Sequence, residues 1–398
     1  MGEEASSARR ARASLPLADV PKRTGAGGRV SDEVFMSRAL ELARSVPFAS
    51  PNPRVGAVLV RDEEIVGEGR HLGAGHPHAE TEALAGADAR GATLYVTLEP
   101  CAHHGRTPPC ASALVEAGVG RAVAAMTDPD DRVAGKGFEI LRSSGIEVEV
   151  GLLEEAARRL NAGFIHHRTT GRPLVSLKLA LTLDGRLAAP DRSSQWITGP
   201  EARALVHRRR AQVDAILVGA GTVTADDPEL TARDVGAKRQ PVRVIADARG
   251  AVSPDARALS RPGERIVATT DRCPHEIQTA YKEAGAEVLI LERADRGVAL
   301  EPLMDQLGAR GFLEVLCEGG GILASSLLKA GLVDRLELFY GPLVVGRGGP
   351  DLDDIGVTTL SEARRWSCSP PEVVGDGFRV ILESPALTSL LAPVERQS

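Results

Sequence analysis

Three short segments, well separated in the chain, have to meet: His78-Ala79-Glu80, Pro100-Cys101 and Pro109-Cys110. One imidazole and two thiolates form a three-donor protein set for Zn²⁺, which leaves the fourth tetrahedral position open, as a catalytic site needs. Residues two apart on a helix point to different faces. His78 and Glu80 therefore converge only if His78 lies at the non-helical start of its helix, and Pro77 just before it suits that placement. Pro109 and Cys110 read as the opening of the helix ASALVEAG, where free amides and the helix dipole favour a thiolate. The constellation demands a fold with two helix N-termini facing one point.

The chemistry follows from the residue types. Zinc draws the pKa of its water towards neutrality, and a carboxylate that is not a ligand can take that proton and deliver it to a leaving amine. Glu80 fits this role. The zinc deaminase signature is His-x-Glu followed by Pro-Cys-x-x-Cys; here eight residues separate the cysteines. Taken alone, His-Ala-Glu is also an ordinary helix start with a solvated carboxylate. His103 or His104 could supply a fourth ligand and close the site, which would leave Glu80 without a task.

Around these segments the pattern is α/β. A first helix is expected in SDEVFMSRALELARSV, then a strand pair in VGAVLV and Ile65–Gly67, the helix ETEALAGA and the buried strand TLYVTLEP. Alternation continues to EVEVGL and is interrupted by the polar HHRTTGRP, where the domain boundary falls. A second βα series starts at PLVSLKLALTLDGRLA and runs to RLELFYGPLVV. With 398 residues, about two domains are expected. We place a disordered tail at 1–30, a deaminase domain at 31–172 and a second domain at 173–390. Arg9, Arg10 and Arg12 in the tail read as solvated charges.

Composition excludes several classes. A net charge of -6 opposes nucleic-acid backbone binding and favours a small-molecule substrate. No apolar run reaches the roughly 18 residues of a membrane span. Five cysteines, an odd and sparse set, suit a reducing cytoplasm. The sequence leaves self-association into a homo-oligomer open.

The stretches PNPRVGAV, HAE and VTLEPCAHHGRTPPC, followed by KLALTLDGRLA, SQWITG, RAQVDAILVGAGTVTADDPELTAR and EGGGILASSLL, resemble the bifunctional riboflavin-biosynthesis deaminase-reductase family. The likeness covers about residues 31 to 385. It implies a cytidine-deaminase-like three-layer domain followed by a dihydrofolate-reductase-like domain, with zinc and NADPH as cofactors. It implies two reactions on a phosphoribosylated pyrimidine: hydrolytic loss of an exocyclic amine, then reduction of the ribose to a ribityl chain. Carried over by position, Ala180, Trp196, Thr222, Asp226 and the run Gly320, Gly321, Ile322, Leu323, Ala324, Ser325 and Ser326 resemble NADP contacts. Ser194, Arg210, Leu230, Arg233 and Glu318 resemble substrate contacts of the reductase. Asn52, His71, His103 and Arg106 would meet the deaminase substrate; each also has a plain reading as a turn or surface residue.

The glycine run after FLEVLC can cradle a diphosphate with its amides, or simply turn the chain, and no G-x-G-x-x-G supports a Rossmann site. Where the family shows a serine after Asp247, this chain has Ala248 and then Arg249, whose charge could hold the 2′-phosphate instead. In the run HRRR, Arg208 and Arg209 are expected on a solvated helix face. Lys178 and Asp184 flank the cofactor segment and could place substrate or pair at the surface. Two rivals remain beside the bifunctional reading: a single-activity zinc deaminase with a non-catalytic second domain, and a metal-stabilised interaction protein without turnover.

Overall fold

A computed structural model describes residues 31–102, 108–130 and 133–394. The expected tail, and with it the calls on His103, His104 and Arg106, lie outside the described residues. The first domain comprises α1 (Asp32–Arg44), β1 (Gly56–Arg61), β2 (Glu64–Arg70), α2 (Ala79–Leu84), β3 (Thr93–Val96) and α3 (Cys110–Glu116). It continues with β4 (Arg121–Ala124), α4 (Lys136–Ser143), β5 (Glu147–Val150), α5 (Glu154–Leu160) and α6 (Ala162–Thr170).

Its sheet runs β2-β1-β3-β4-β5, with β1 antiparallel to both neighbours and the rest parallel. Two glycines show why it is layered. A Cβ at Gly56 would lie 2.0 Å from the Ala39 carbonyl of α1, and one at Gly69 would lie 2.0 Å from the Ala79 carbonyl of α2. Gly69 pairs with Ala57, the neighbour of Gly56, and adjacent strand residues face opposite sides. The two helices therefore press on opposite faces of one sheet, with backbone contact that any side chain would prevent.

The second domain holds β6 (Leu174–Leu181), α7 (Pro200–Arg210), β7 (Ala215–Gly219), α8 (Ala220–Asp226), β8 (Val242–Ala246), α9 (Arg257–Ser260), β9 (Arg265–Thr269), α10 (His275–Glu283) and β10 (Glu287–Ile290). After a small hairpin, β11 (Arg293–Ala294) and β12 (Gly297–Val298), come α11 (Leu300–Ala309), β13 (Glu314–Cys317), α12 (Gly321–Lys329) and β14 (Arg335–Tyr340). The chain finishes with β15 (Ser367–Cys368), β16 (Glu372–Val374), β17 (Gly377–Glu383) and α13 (Pro385–Leu391). The sheet order is β10-β9-β8-β7-β13-β6-β14-β17-β15, parallel from β10 through β14 and antiparallel beyond. The carboxyl ends of β6, β13, β7, β8 and β9 thus form one continuous edge, the place where open α/β sheets bind ligands.

HHRTTGRP is helical over its first five residues: α6 runs to Thr170 and ends at Gly171, whose φ of 75° is the left-handed stop that glycine allows. More consequentially, α13 does not stay with the second domain. Leu387 and Leu391 are buried in the hydrophobic core of the first, Arg158 Nη2 donates to the Leu390 carbonyl at 2.8 Å, and the Val394 amide donates to Glu154 at 3.2 Å. The range 173–390 therefore divides after β17.

Within the second domain Arg209, expected in solvent, is turned inward: its guanidinium lies 2.6 Å from Glu314 and 2.8 Å from Glu337, while Arg208 is exposed as expected. Another charged pair ties the domains. His166 of α6 reaches across with Nε2 3.2 Å from Asp334 Oδ1, and its Nδ1–H donates to the Arg172 carbonyl at 3.1 Å. Burial opposes a charge on His166, but the Asp334 carboxylate outweighs it and raises the imidazole above the ordinary histidine value. Because the folded value exceeds the unfolded one, this pair stabilises fully below about pH 6.5 and its contribution is lost as pH rises through the folded value. Thermal melts are expected to show Tm falling across that range in the protein and a flatter profile in His166→Gln. Parallel profiles would deny the pair any role.

Candidate active sites

The first site assembles where the spacing required. His78 caps α2 in an extended conformation (φ -70°, ψ 159°), and Pro109 caps α3 so that Cys110 is its first residue. His78 Nδ1 lies 3.2 Å from Cys110 Sγ and 3.6 Å from Cys101 Sγ, and all three donor atoms fall within 4.8 Å of one another. The Cys110 amide donates to Cys101 Sγ at 3.3 Å. The thiol of Cys110, joined by the imidazole and then by that amide, holds the Cys101 thiol down to about 4 against the effect of burial, the state a metal ligand needs. Among the described residues this is the sole cluster of three such donors. One nitrogen and two sulfurs, brought close without a fourth protein donor among the described residues, fit zinc in an open site.

Glu80 follows in the first turn of α2 and is 4 % exposed. Burial pushes its carboxyl up to about 7. Behind the donors stands a strut that the sequence reading does not foresee. His71 is buried, its Nδ1–H donates to the Pro77 carbonyl at 2.9 Å, and its Nε2 accepts from the Asn52 amide at 2.8 Å. Both ring nitrogens are thus engaged within the protein. His71 braces the peptide that presents His78, and the two rings meet edge to face at 5.2 Å. Asn52, partly buried, has one of its two amide hydrogens committed to this strut.

The second site is a cleft of ≈ 1940 Å³ along the strand edge of the second domain. Ala180, Ser194, Trp196, Arg210, Thr222, Asp226, Leu230, Arg233, Glu318, Gly320, Gly321, Ile322 and Leu323 line it. Ala324, Ser325 and Ser326 do not. Ala324 and Ser325 are buried, Ser325 accepting from the Asp353 amide at 2.7 Å, and the Ser326 hydroxyl bonds back to the Ile322 carbonyl. Being helical, α12 can offer only its first turn to a ligand at its N-terminus.

Between β13 and α12, Gly319 and Gly320 have φ of 149° and 80°, and a Cβ on Gly320 would lie 3.2 Å from Thr222 Oγ1. The run brings backbone without side chains to the start of α12, an arrangement that fits a nucleotide diphosphate. Immediately before this run Glu318 is gripped by Arg210, whose guanidinium makes two hydrogen bonds to it of 2.6 and 2.8 Å. Burial works against the Glu318 charge, but Arg210 and Lys178 keep the carboxyl below its ordinary value. Lys178 lines the same wall, its own pKa lowered by burial. Asp184 is structural instead, accepting from the amides of Val345 and Gly346 and the Thr182 hydroxyl. Trp196, 65 % exposed, carries the Arg203 guanidinium 4.4 Å from its ring centroid, a stack with no sequence signal.

Comparisons with known proteins agree with this layout. Residues 29–126 match the cytidine and deoxycytidylate deaminase zinc-binding region, and residues 173–377 match the RibD C-terminal domain. The chain is 44% identical to the riboflavin biosynthesis protein RibD of Escherichia coli over 362 residues, covering 87% of this chain and 97% of that one. It is 42% identical to the protein of that name from Aquifex aeolicus, over 89% of this chain and 99% of the relative. Among solved structures it resembles Acinetobacter baumannii RibD with a TM-score of 0.80 and 38% identity, covering 89% of this chain and 98% of that one. A diaminohydroxyphosphoribosylaminopyrimidine deaminase/5-amino-6-(5-phosphoribosylamino)uracil reductase from Thermotoga maritima matches with a TM-score of 0.78 and 37% identity, over 88% and 98% of the two chains. No helix among the described residues is long and apolar enough to cross a membrane.

Proposed function

This chain belongs to the RibD family of riboflavin-biosynthesis deaminase-reductases, and on that premise we propose which of its residues carry each reaction. The protein deaminates 2,5-diamino-6-ribosylamino-4(3H)-pyrimidinone 5′-phosphate hydrolytically and then reduces the ribose to a ribityl chain with NADPH. What supports the residue assignment most is the convergence of His78, Cys101 and Cys110, from three segments, beside a buried Glu80.

In the first reaction His78, Cys101 and Cys110 hold zinc, which when bound supplies Lewis-acid activation of the attacking water. Hydrolysis adds water across the carbon–nitrogen bond and expels ammonia. Glu80 accepts the proton given up by water and returns it to the leaving amine, a shuttle served by a carboxyl whose pKa lies near 7. Asn52 keeps an amide hydrogen and its carbonyl for the pyrimidine edge, while His71 positions the His78 loop.

In the second reaction NADPH, when bound, supplies the hydride. The amides of Gly319 to Gly321 take its diphosphate and Trp196 lies against the cleft mouth. Arg210, paired with Glu318, and Arg233 bind the substrate. The 2′-phosphate falls to charge: Asp247 accepts from the amides of Ala251 and Val252 and from the Tyr281 hydroxyl, fixing the turn that sends Arg249 to the cleft. Arg249→Ala is expected to weaken NADPH binding about tenfold and leave NADH unchanged in fluorescence titration. Unchanged NADPH affinity would remove Arg249 from the site. Five unbridged cysteines, two of them zinc donors, suit a cytoplasmic location.

The whole reading is tested by supplying the phosphorylated diaminopyrimidine to zinc-loaded protein, measuring ammonia without NADPH and then NADPH oxidation once it is added. Both signals in that order are expected. Ammonia alone would make the second domain a binding module.

A further inference from the structure

Among its described lining residues, Trp196 is the cleft's only large aromatic ring, and it is 65 % exposed. The backbone beneath it is fixed: Ile197 is buried, and its carbonyl oxygen lies 1.7 Å from where a Cβ on Gly341 would be. Over one face of the ring lies the Arg203 guanidinium, 4.4 Å from the centroid. Arg203 stands in the first turn of α7 and also lines the cleft. Its Nη1 donates to the Thr198 carbonyl at 2.9 Å, which holds the head in place. With one face covered, an indole stays this exposed only if its other face is open.

Among the described residues the Arg203 head meets a carbonyl and an indole, and no carboxylate pairs with it. Glu201 and Asp376 gather at Gly199 instead, with oxygens 3.3 and 2.7 Å from where a Cβ on that glycine would be. A guanidinium stacks on an indole because the ring face is negative. Across the ring its charge opposes a second cation on the other face. Strand order says what reaches that face. Arg249 follows β8, the glycine run follows β13 and Trp196 follows β6, in that order along the sheet edge. A dinucleotide with its 2′-phosphate at Arg249 and its diphosphate at the glycines therefore reaches Trp196 with its nicotinamide. That ring is neutral in NADPH and positively charged in NADP⁺, once it has given up hydride.

We propose that Arg203, stacked on Trp196, is a specificity-determining residue that makes the cleft prefer NADPH to NADP⁺. The guanidinium steadies the ring for a neutral nicotinamide and, across the indole, repels a charged one. Oxidised cofactor then leaves more readily, and its inhibition of the reductase is relieved. The inference rests on the assignment of NADPH to this cleft with Trp196 among its contacts.

Calorimetric titration of the full-length, zinc-loaded protein with NADPH and with NADP⁺ tests this. Arg203→Gln keeps a donor for the Thr198 carbonyl and a planar group on the ring, and loses the charge; Arg203→Met loses the charge in a second side chain. Both are expected to bind NADP⁺ about fivefold more tightly and NADPH within about twofold of the parent. In the reductase assay NADP⁺ should inhibit both variants at about fivefold lower concentration. Arg203→Lys, with an ammonium over the same face, should keep the parent's ratio of the two affinities. An arginine that only supports the loop would shift both nucleotides together. That result, no shift, or weaker NADP⁺ binding would each overturn the proposal. Trp196→Ala separates the two layers. Weaker NADPH binding there with Arg203→Gln silent overturns only this inference, whereas unchanged NADPH affinity in Trp196→Ala also removes Trp196 from the cofactor site.

Discussion

Replacing Glu80 with Gln is expected to cut ammonia release by about 10³-fold while zinc content and NADPH oxidation on the deaminated substrate hold within about twofold. Gln keeps the volume and the hydrogen-bonding atoms of a side chain that is 4 % exposed in the first turn of α2. What it loses is the ability to gain and give up a proton. Burial lifts this carboxyl to about 7, which suits a group that must be base in one half of the reaction and acid in the other. Metal analysis and the reductase assay on the same sample distinguish this from misfolding. Ammonia release within tenfold of the parent would hand the proton transfers to another group.

The second large effect is expected at Arg210→Ala. This guanidinium is 13% exposed and makes two bonds to a carboxylate, Glu318, that is 6% exposed. Removing one partner of such a pair strands the other charge, at a cost of about 3–5 kcal/mol. For a domain of this size that corresponds to a Tm lowered by roughly 10 °C. NADPH oxidation should be lost as well if, as proposed, the pair binds the substrate on the cleft wall. The double replacement Arg210→Met with Glu318→Leu separates the two consequences: it is expected to recover most of the stability and none of the reduction. Recovery of turnover in the double variant would show that the pair merely supports the fold.

Much of the first site was legible because short-range rules placed it. Prolines before His78 and Cys110, and the two-residue offset of His78 from Glu80, forced the donors to helix starts, where they lie. Long-range partners were not legible. Arg209 sits in a run of like charges that reads as a solvated face, and only the arrival of Glu314 and Glu337 from distant strands explains its inward turn. His71 reads as a substrate contact by position, yet its nitrogens are taken by Asn52 and the Pro77 carbonyl. The glycine run lies at a strand-to-helix turn as expected, and the last three residues of the expected cofactor segment do not line the cleft. A helix offers its free amides only in the first turn, so Ala324 to Ser326 fall inside the core or on the back of α12.

The return of α13 sets an order on synthesis. A ribosome delivers the zinc donors first and residues 385–391 last, so Leu387 and Leu391 reach the first domain only after every strand of the second has been made. Domains usually mature as they emerge. Here the surface of α5 and α6 that receives α13 waits uncovered through the making of the reductase half. A gene cut at residue 172 would leave that surface uncovered for good, and would send the missing piece away with the other enzyme.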